Sequence, residues 1–158
     1  MVLLIRRAQA LMEAAGDDGD FDALCQQLHR YQATLRTCFT LENFDNLIKN
    51  GRMRPIVGTL LRSLGIHIIA DATAEGTIHV ADKARGVGKT YRAITALMKA
   101  SKDCTDAEVV ISHCENLEGA MALKRQILAD LPVKQVDLLS CRGLTSFYAM
   151  EKGLIVGY

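Results

Sequence analysis

Strand and helix patterns alternate through the second half of the sequence, and this alternation limits the fold more than any other feature. Short β-rich runs at 77–81, 108–112 and 135–139 are separated by two amphipathic helical patterns. The second helix is predicted to begin at the N-cap Asn116 and to end before Pro132. Strands that alternate with helices of this length predict an α/β domain built on one sheet.

The strand pattern also predicts that the sheet is mixed rather than all parallel. The run at 66–70 returns through a turn at Glu75-Gly76 into the strand at 77–81, which is the pattern of a hairpin. A short strand at 37–41 and a last strand at 153–157 complete the set. We therefore expect a two-layer α/β domain whose mixed sheet has about six strands with helices packed on it.

Two helices are predicted before the first strand. The first covers 2–15, and the second follows the N-cap Asp20 and continues to about Leu35. Two further helices are predicted at 42–49, ending at Asn50-Gly51, and at 56–64. The helices predicted after the first strand are already expected to pack on the sheet. The apolar faces of the first two helices therefore need another partner.

Composition excludes several classes of protein. The chain has 158 residues, 49% of them apolar, and a net charge of +1 from 19 basic and 18 acidic side chains, so no nucleic-acid partner is expected. No apolar run approaches the ~20 residues of a membrane span, and the start MVLLIRR is too short for a signal-peptide core. Five cysteines without regular spacing predict free thiols, no metal site and a cytoplasmic location.

The stretch KARGVGKT, residues 83–90, resembles part of a phosphate-binding loop. Gly88, Lys89 and Thr90 match the end of the motif G-x-x-x-x-G-K-[ST], but Lys83 stands where the first glycine is required. The candidate strand at 109–112 also lacks the acidic residue at its end that would hold Mg²⁺. We interpret the stretch as a glycine turn that leads from a strand into a helix.

Several segments resemble the carboxy-terminal half of DegV-like fatty-acid-binding proteins. Those that carry the resemblance are LENFDNLIKNGRM (41–53), LLRSLGIHIIA (60–70), HVADKARGVGKTYRAI (79–94) and VVISHCENLEGAMALKRQI (109–127). The glycine–arginine turn at Gly51-Arg52 and the strand end Ser112-His113 are the most specific matches. On this resemblance residues 1–36 are a helical remnant of a first, parallel α/β domain, and residues 37–158 are the carboxy-terminal α/β domain.

The resemblance implies a bacterial, non-catalytic carrier that needs no cofactor. Proteins of this family hold a long-chain fatty acid between two domains and present it to a separate fatty acid kinase. The family's last segment contains Gly-x-His-x-Gly-Pro-Gly, whereas residues 142–158 here contain neither His nor Pro, and Phe147 or Tyr148 falls near the His position. The resemblance therefore implies a lipid site that includes Gly51, Arg52, Leu61, His113, Phe147 and Tyr148.

Three functions are compatible with these patterns. The first is lipid binding, since the apolar segment 56–69 lies beside the cations Arg52 and Arg54, as an amphiphile with an anionic head requires. The second is a phosphate- or nucleotide-handling enzyme that uses the glycine loop at 86–90. The third is a partner-binding module without a small ligand. In any of these, we expect the helices within residues 2–36 to form a homodimer contact.

Overall fold

The computed structural model describes residues 1–17, 19–53, 65–73 and 76–158. The helices in these ranges are α1 (Val2–Ala15), α2 (Phe21–Thr34), α3 (Asp45–Lys49), α4 (Val87–Ser101), α5 (Leu117–Asp130) and α6 (Leu144–Ala149). The strands are β1 (Thr37–Leu41), β2 (Ile66–Ala72), β3 (Ile78–Arg85), β4 (Glu108–His113), β5 (Gln135–Ser140) and β6 (Leu154–Gly157). No described helix is long and apolar enough to cross a membrane.

The strands form one mixed six-stranded sheet in the order β3-β2-β1-β6-β4-β5. Only β4 and β5 pair in parallel, with Val109 opposite Val136, and the other four neighbouring pairs are antiparallel. As a result β1, β3, β4 and β5 all run in one direction, and their carboxyl ends meet at one edge of the sheet. We call this the carboxyl edge. The α/β class and the mixed sheet predicted from the sequence are confirmed.

Helices cover both faces of the sheet. The first face packs against α4 and α5, where Ile94 and Leu123 are fully buried against strand residues such as Ile111. The second face packs against α3 and α6, where Leu47 and Ala149 are buried. Each strand supplies alternate side chains to the two cores because its side-chain period is two. In β6, for example, Leu154 and Val156 join the first core and Ile155 lies against the second.

Local signals explain most of the helix ends. The Asp20 carboxylate accepts hydrogen bonds from the amides of Asp22 and Ala23, which caps α2 as predicted. The Asn116 side chain accepts from the Gly119 amide at 3.2 Å and caps α5 in the same way. The bounds of α1 match the sequence-based prediction, whereas α6 was not predicted. The helix predicted at 56–64 lies outside the described residues.

The first two helices form a hairpin of which only one end is anchored to the sheet. Leu3 of α1 is 5% exposed, and Arg6 donates to the carboxylate of Asp137 on β5 at 2.5 Å. Arg7 lies over the ring of Tyr31, 5.7 Å from its centroid, which joins α1 to α2. No residue of α2 is buried, and Phe21 is 74% exposed. Much of the predicted apolar surface of this hairpin therefore remains open.

Candidate functional site

The second face of the sheet holds an apolar cavity of about 440 Å³, which we call the second-face cavity. Its floor is formed by strand residues and its walls by α3 and α6. Its apolar lining is Phe39, Leu41, Leu47, Ile78, Leu144, Ala149 and Ile155, with Tyr148 beside them. Cavities of this size and character are typical of small-molecule sites.

The turn after α3 places Arg52 at this cavity. Gly51 has φ of 68°, and its amide donates to the Ile48 carbonyl at 3.0 Å. The Arg52 amide then donates to the Leu47 carbonyl at 2.8 Å. This pair of bonds is a Schellman motif, in which glycine takes the left-handed conformation because it has no Cβ. Gly51 and Arg52 both line the cavity, and the Arg52 side chain is exposed at it.

Helix α6 forms another wall of the cavity and carries the two predicted aromatic residues. Tyr148 lines the cavity, and its ring meets that of Phe147 edge to face with centroids 5.1 Å apart. Phe147 is 46% exposed and does not line the cavity. Its carbonyl accepts a hydrogen bond from the Asn46 side chain at 2.6 Å. This bond ties α6 to α3, so the two walls are held together.

The other two predicted site residues do not lie at the second-face cavity. His113 ends β4, is 8% exposed, and its Nδ1 accepts from the Asn116 amide at 3.4 Å. Strand alternation puts it with Val109 and Ile111 on the first face, and it is not among the described residues that line the second-face cavity. Leu61, like Arg54, lies outside the described residues.

The arrangement suits a molecule with an apolar body and an anionic end. The aliphatic and aromatic lining offers no strong hydrogen-bond partner over most of its surface, so it favours a hydrocarbon. Arg52 supplies a guanidinium that recognises a carboxylate or phosphate with two parallel hydrogen bonds. Sequence reasoning missed the residues that form the floor, such as Phe39, Ile78 and Ile155. The alternation of apolar side chains along these strands could be recognised in the sequence. The sequence did not indicate which face of the sheet would carry a cavity.

The glycine stretch has the geometry of a plain strand-to-helix connection. Strand β3 continues through Lys83 to Arg85, Gly86 alone connects it to α4, and its φ of 84° turns the chain. The Thr90 hydroxyl donates to the Gly86 carbonyl at 3.1 Å, so it is engaged within the helix start. A phosphate-binding loop needs several successive amides curled round the anion, and a single connecting residue does not supply them.

Comparison with known proteins gives a match over nearly the whole chain. A model of the DegV family, described as uncharacterised protein of that family, matches residues 3–154. A DegV domain-containing protein of Streptococcus gordonii is 31% identical over 151 residues, which is 95% of this chain and 53% of that protein. A relative from Streptococcus pneumoniae is 32% identical over 87% of this chain and 49% of its own length. The chain thus spans about half the length of these relatives.

Solved structures show the same fold. A DegV family protein from Eubacterium eligens, loaded with heptadecanoic acid, superposes with a TM-score of 0.89 at 25% identity, covering 98% of this chain and 55% of that one. The fatty acid kinase (Fak) B3 protein of Streptococcus pneumoniae, loaded with linoleic acid, gives 0.88 at 30% identity, covering 99% of this chain and 54% of that one. Both superpositions include the sheet and the helices on both its faces.

Proposed function

Because this chain belongs to the DegV family, we propose that it binds a fatty acid in the second-face cavity. The observation that carries the proposal is an exposed arginine, Arg52, at an apolar cavity of about 440 Å³. The hydrocarbon would lie against Phe39, Ile78 and Ile155, and the carboxylate would pair with the guanidinium. The fatty acids carried by two structural relatives support this assignment.

Tyr148 is the proposed second polar contact. It lines the same cavity as Arg52, and its phenolic hydroxyl would donate to the same carboxylate. Gly51 contributes through its backbone, since its left-handed conformation sets the direction of the next residue. Phe147 supports Tyr148 by edge-to-face packing. Roles for His113 and Leu61 in lipid binding stay sequence-based predictions, without a place in this cavity.

The proposed role is that of a carrier without catalysis, which presents its fatty acid to a partner kinase. The name of the fatty acid kinase B3 protein from Streptococcus pneumoniae supports a kinase partner for a chain of this fold. The proposed division into residues 1–36 and 37–158 agrees with the open surface of the α1–α2 hairpin. Because this chain spans about half of its relatives' length, the partner and the substrate of a whole protein belong to the proposal.

The nucleotide-handling alternative finds no specific support. It needs a loop of amides round a phosphate at residues 86–90, and β3 continues to Arg85 with one residue before α4. A module without a small ligand would leave the second-face cavity without a function. Lipid binding is therefore the function we infer.

Arg52→Ala tests the assignment of the anionic end. Loss of a charge-assisted contact is expected to weaken fatty acid binding roughly tenfold or more, because hydrogen bonds to charged groups contribute about 1.5–3 kcal/mol. Arg52→Lys keeps the charge but loses the planar guanidinium, so its affinity for fatty acid should lie between those of the parent and Arg52→Ala. Binding is measured by titration calorimetry and folding by thermal melting. A large melting shift with unchanged affinity would make Arg52 a structural residue and refute this role.

A further inference from the structure

A second cavity lies on the first face of the sheet, at the carboxyl edge. It has a volume of about 260 Å³, and we call it the first-face cavity. The end of β1, the starts of β2 and β6, and the first turns of α4 and α5 enclose it. Its polar lining is Thr40, Glu42, His67, Thr90, Tyr91, Asn116, Glu118 and Lys152.

Thr40 is the first sign that this cavity is built for a ligand. The residue is 5% exposed and lines the cavity, yet its hydroxyl has no hydrogen-bond partner among the residues that the structure describes. Among side chains in the described part of the chain, it is the one buried polar atom left in this state. Buried polar groups are normally paired, and an unpaired one calls for an explanation. A ligand atom in the adjoining cavity would supply the missing partner.

The start of α4 is the second sign. This helix of 15 residues has no side-chain cap and no acidic residue in its first turn. Its neighbour α5 has both, in Asn116 and Glu118. The uncapped amides and the positive end of the helix dipole favour an anionic group. Val87, at the first position of α4, lines the cavity.

Two acidic side chains, Glu42 and Glu118, also line the cavity. Tyr91 is 8% exposed, and burial raises the pKa of its phenol, as do the charges of Glu42 and Glu118. Both carboxylates line the cavity together with Tyr91. Glu42 is paired with Lys152 at 3.6 Å, whereas Glu118 forms no salt bridge with any residue that the structure describes. Glu118 therefore favours a cationic group, whereas the start of α4 favours an anionic one.

We propose that the first-face cavity binds a small zwitterion of the amino-acid type. The ligand carboxylate accepts from the Thr40 hydroxyl and from the first amides of α4. The ligand ammonium pairs with Glu118, beside the Tyr91 ring. Neither charge alone suits the whole lining, because a simple anion leaves Glu118 without a partner and a simple cation leaves the start of α4 and Thr40 without one. The site is independent of the proposed lipid site, which lies on the other face of the sheet.

The test is a titration of the isotopically labelled chain with glycine and L-serine, followed by amide NMR shifts. Acetate and methylammonium, the two halves of glycine, are titrated separately at matched ionic strength. The amides of Val87 and Gly88 are expected to shift and saturate with the zwitterions and not with either half. Thr40→Val should weaken binding roughly tenfold, and Glu118→Gln about two- to fivefold. Thr37→Val, the same change at an exposed position of β1 outside this cavity, is the matched control and should leave amino-acid binding unchanged.

Three results would overturn the proposal. One is the absence of a saturable shift with either amino acid. Another is an equal response to acetate alone, which would make the cavity a plain anion site. The third is unchanged affinity in Thr40→Val, which would remove the hydroxyl from the site. Fatty acid binding is unaffected by any of these results, since its residues lie on the opposite face.

Discussion

Thr40 is a residue at which burial and hydrogen bonding conflict. A buried hydroxyl without a partner loses its bonds to water and gains none in return, so it costs about 1–3 kcal/mol. Thr40→Val replaces that hydroxyl with a methyl group of similar size. We expect this variant to raise the free energy of unfolding by about 1 kcal/mol, measured by denaturant titration of the ligand-free chain.

The control for this change is Thr37→Val on the same strand. Thr37 is exposed, so its substitution should alter stability by no more than about 0.5 kcal/mol. A clear loss of stability in Thr40→Val would mean that the hydroxyl already has a hydrogen-bond partner in solution, such as an ordered water. It would then not be available to bind a ligand.

Residue-level predictions from the sequence held where the signal was local. Gly51 was identified as the end of a helix because glycine accepts the left-handed conformation, and the Schellman bonds confirm it. Asp20 and Asn116 were identified as N-caps for a similar reason. The missing partner of Thr40 was not predictable, because it depends on which residues from distant parts of the sequence surround one hydroxyl. No local pattern records that.

At the scale of elements, the connection from β3 to α4 decides between a nucleotide site and a simple turn. Lys89 lies in the first turn of α4 and is exposed. We therefore expect Lys89→Ala to change the free energy of unfolding by no more than about 0.5 kcal/mol. ATP should not stabilise the parent chain or the variant in thermal melting. A bound nucleotide at 100 times its dissociation constant would add about 2.7 kcal/mol, and a gain of that size lost in the variant would refute our interpretation.

Helix α6 shows why some elements escape prediction from the sequence. It has six residues, begins after Gly143 with φ of 52°, and has no side-chain cap. Helices this short are marginal without tertiary support. That support comes from Asn46, which bonds to the Phe147 carbonyl across 101 residues of sequence. Apolar periodicity in the sequence therefore predicted the long helices α1 and α5. It did not predict α6, the wall of the second-face cavity that carries Tyr148.

At the scale of the whole molecule, the α1–α2 hairpin leaves apolar side chains in solvent. Ile5, Met12 and Phe21 are 58%, 64% and 74% exposed. Apolar side chains grouped on one hairpin favour association, and a two-fold dimer is the commonest form. We expect the 158-residue chain to be a homodimer through residues 2–36, as measured by light scattering at several concentrations.

Introducing a charged residue on this hairpin and at another exposed apolar position tests which surface forms the dimer contact. Phe21→Glu should produce monomers, whereas Leu128→Glu should not, although Leu128 is also 48% exposed on α5. A parent chain that stays monomeric at all concentrations, with α1 and α2 protected from proteolysis, would rule out the dimer.

The most direct test of fatty acid binding in the second-face cavity is native mass spectrometry of the chain purified from cells. Ile78→Trp places a large ring in the cavity, and the neighbouring His79→Trp places the same ring on the other face of β3. We expect the parent and His79→Trp to carry the added mass of a long-chain fatty acid and Ile78→Trp to carry none. Parent protein that carries no fatty acid even after incubation with one, or equal loading of Ile78→Trp, would contradict it.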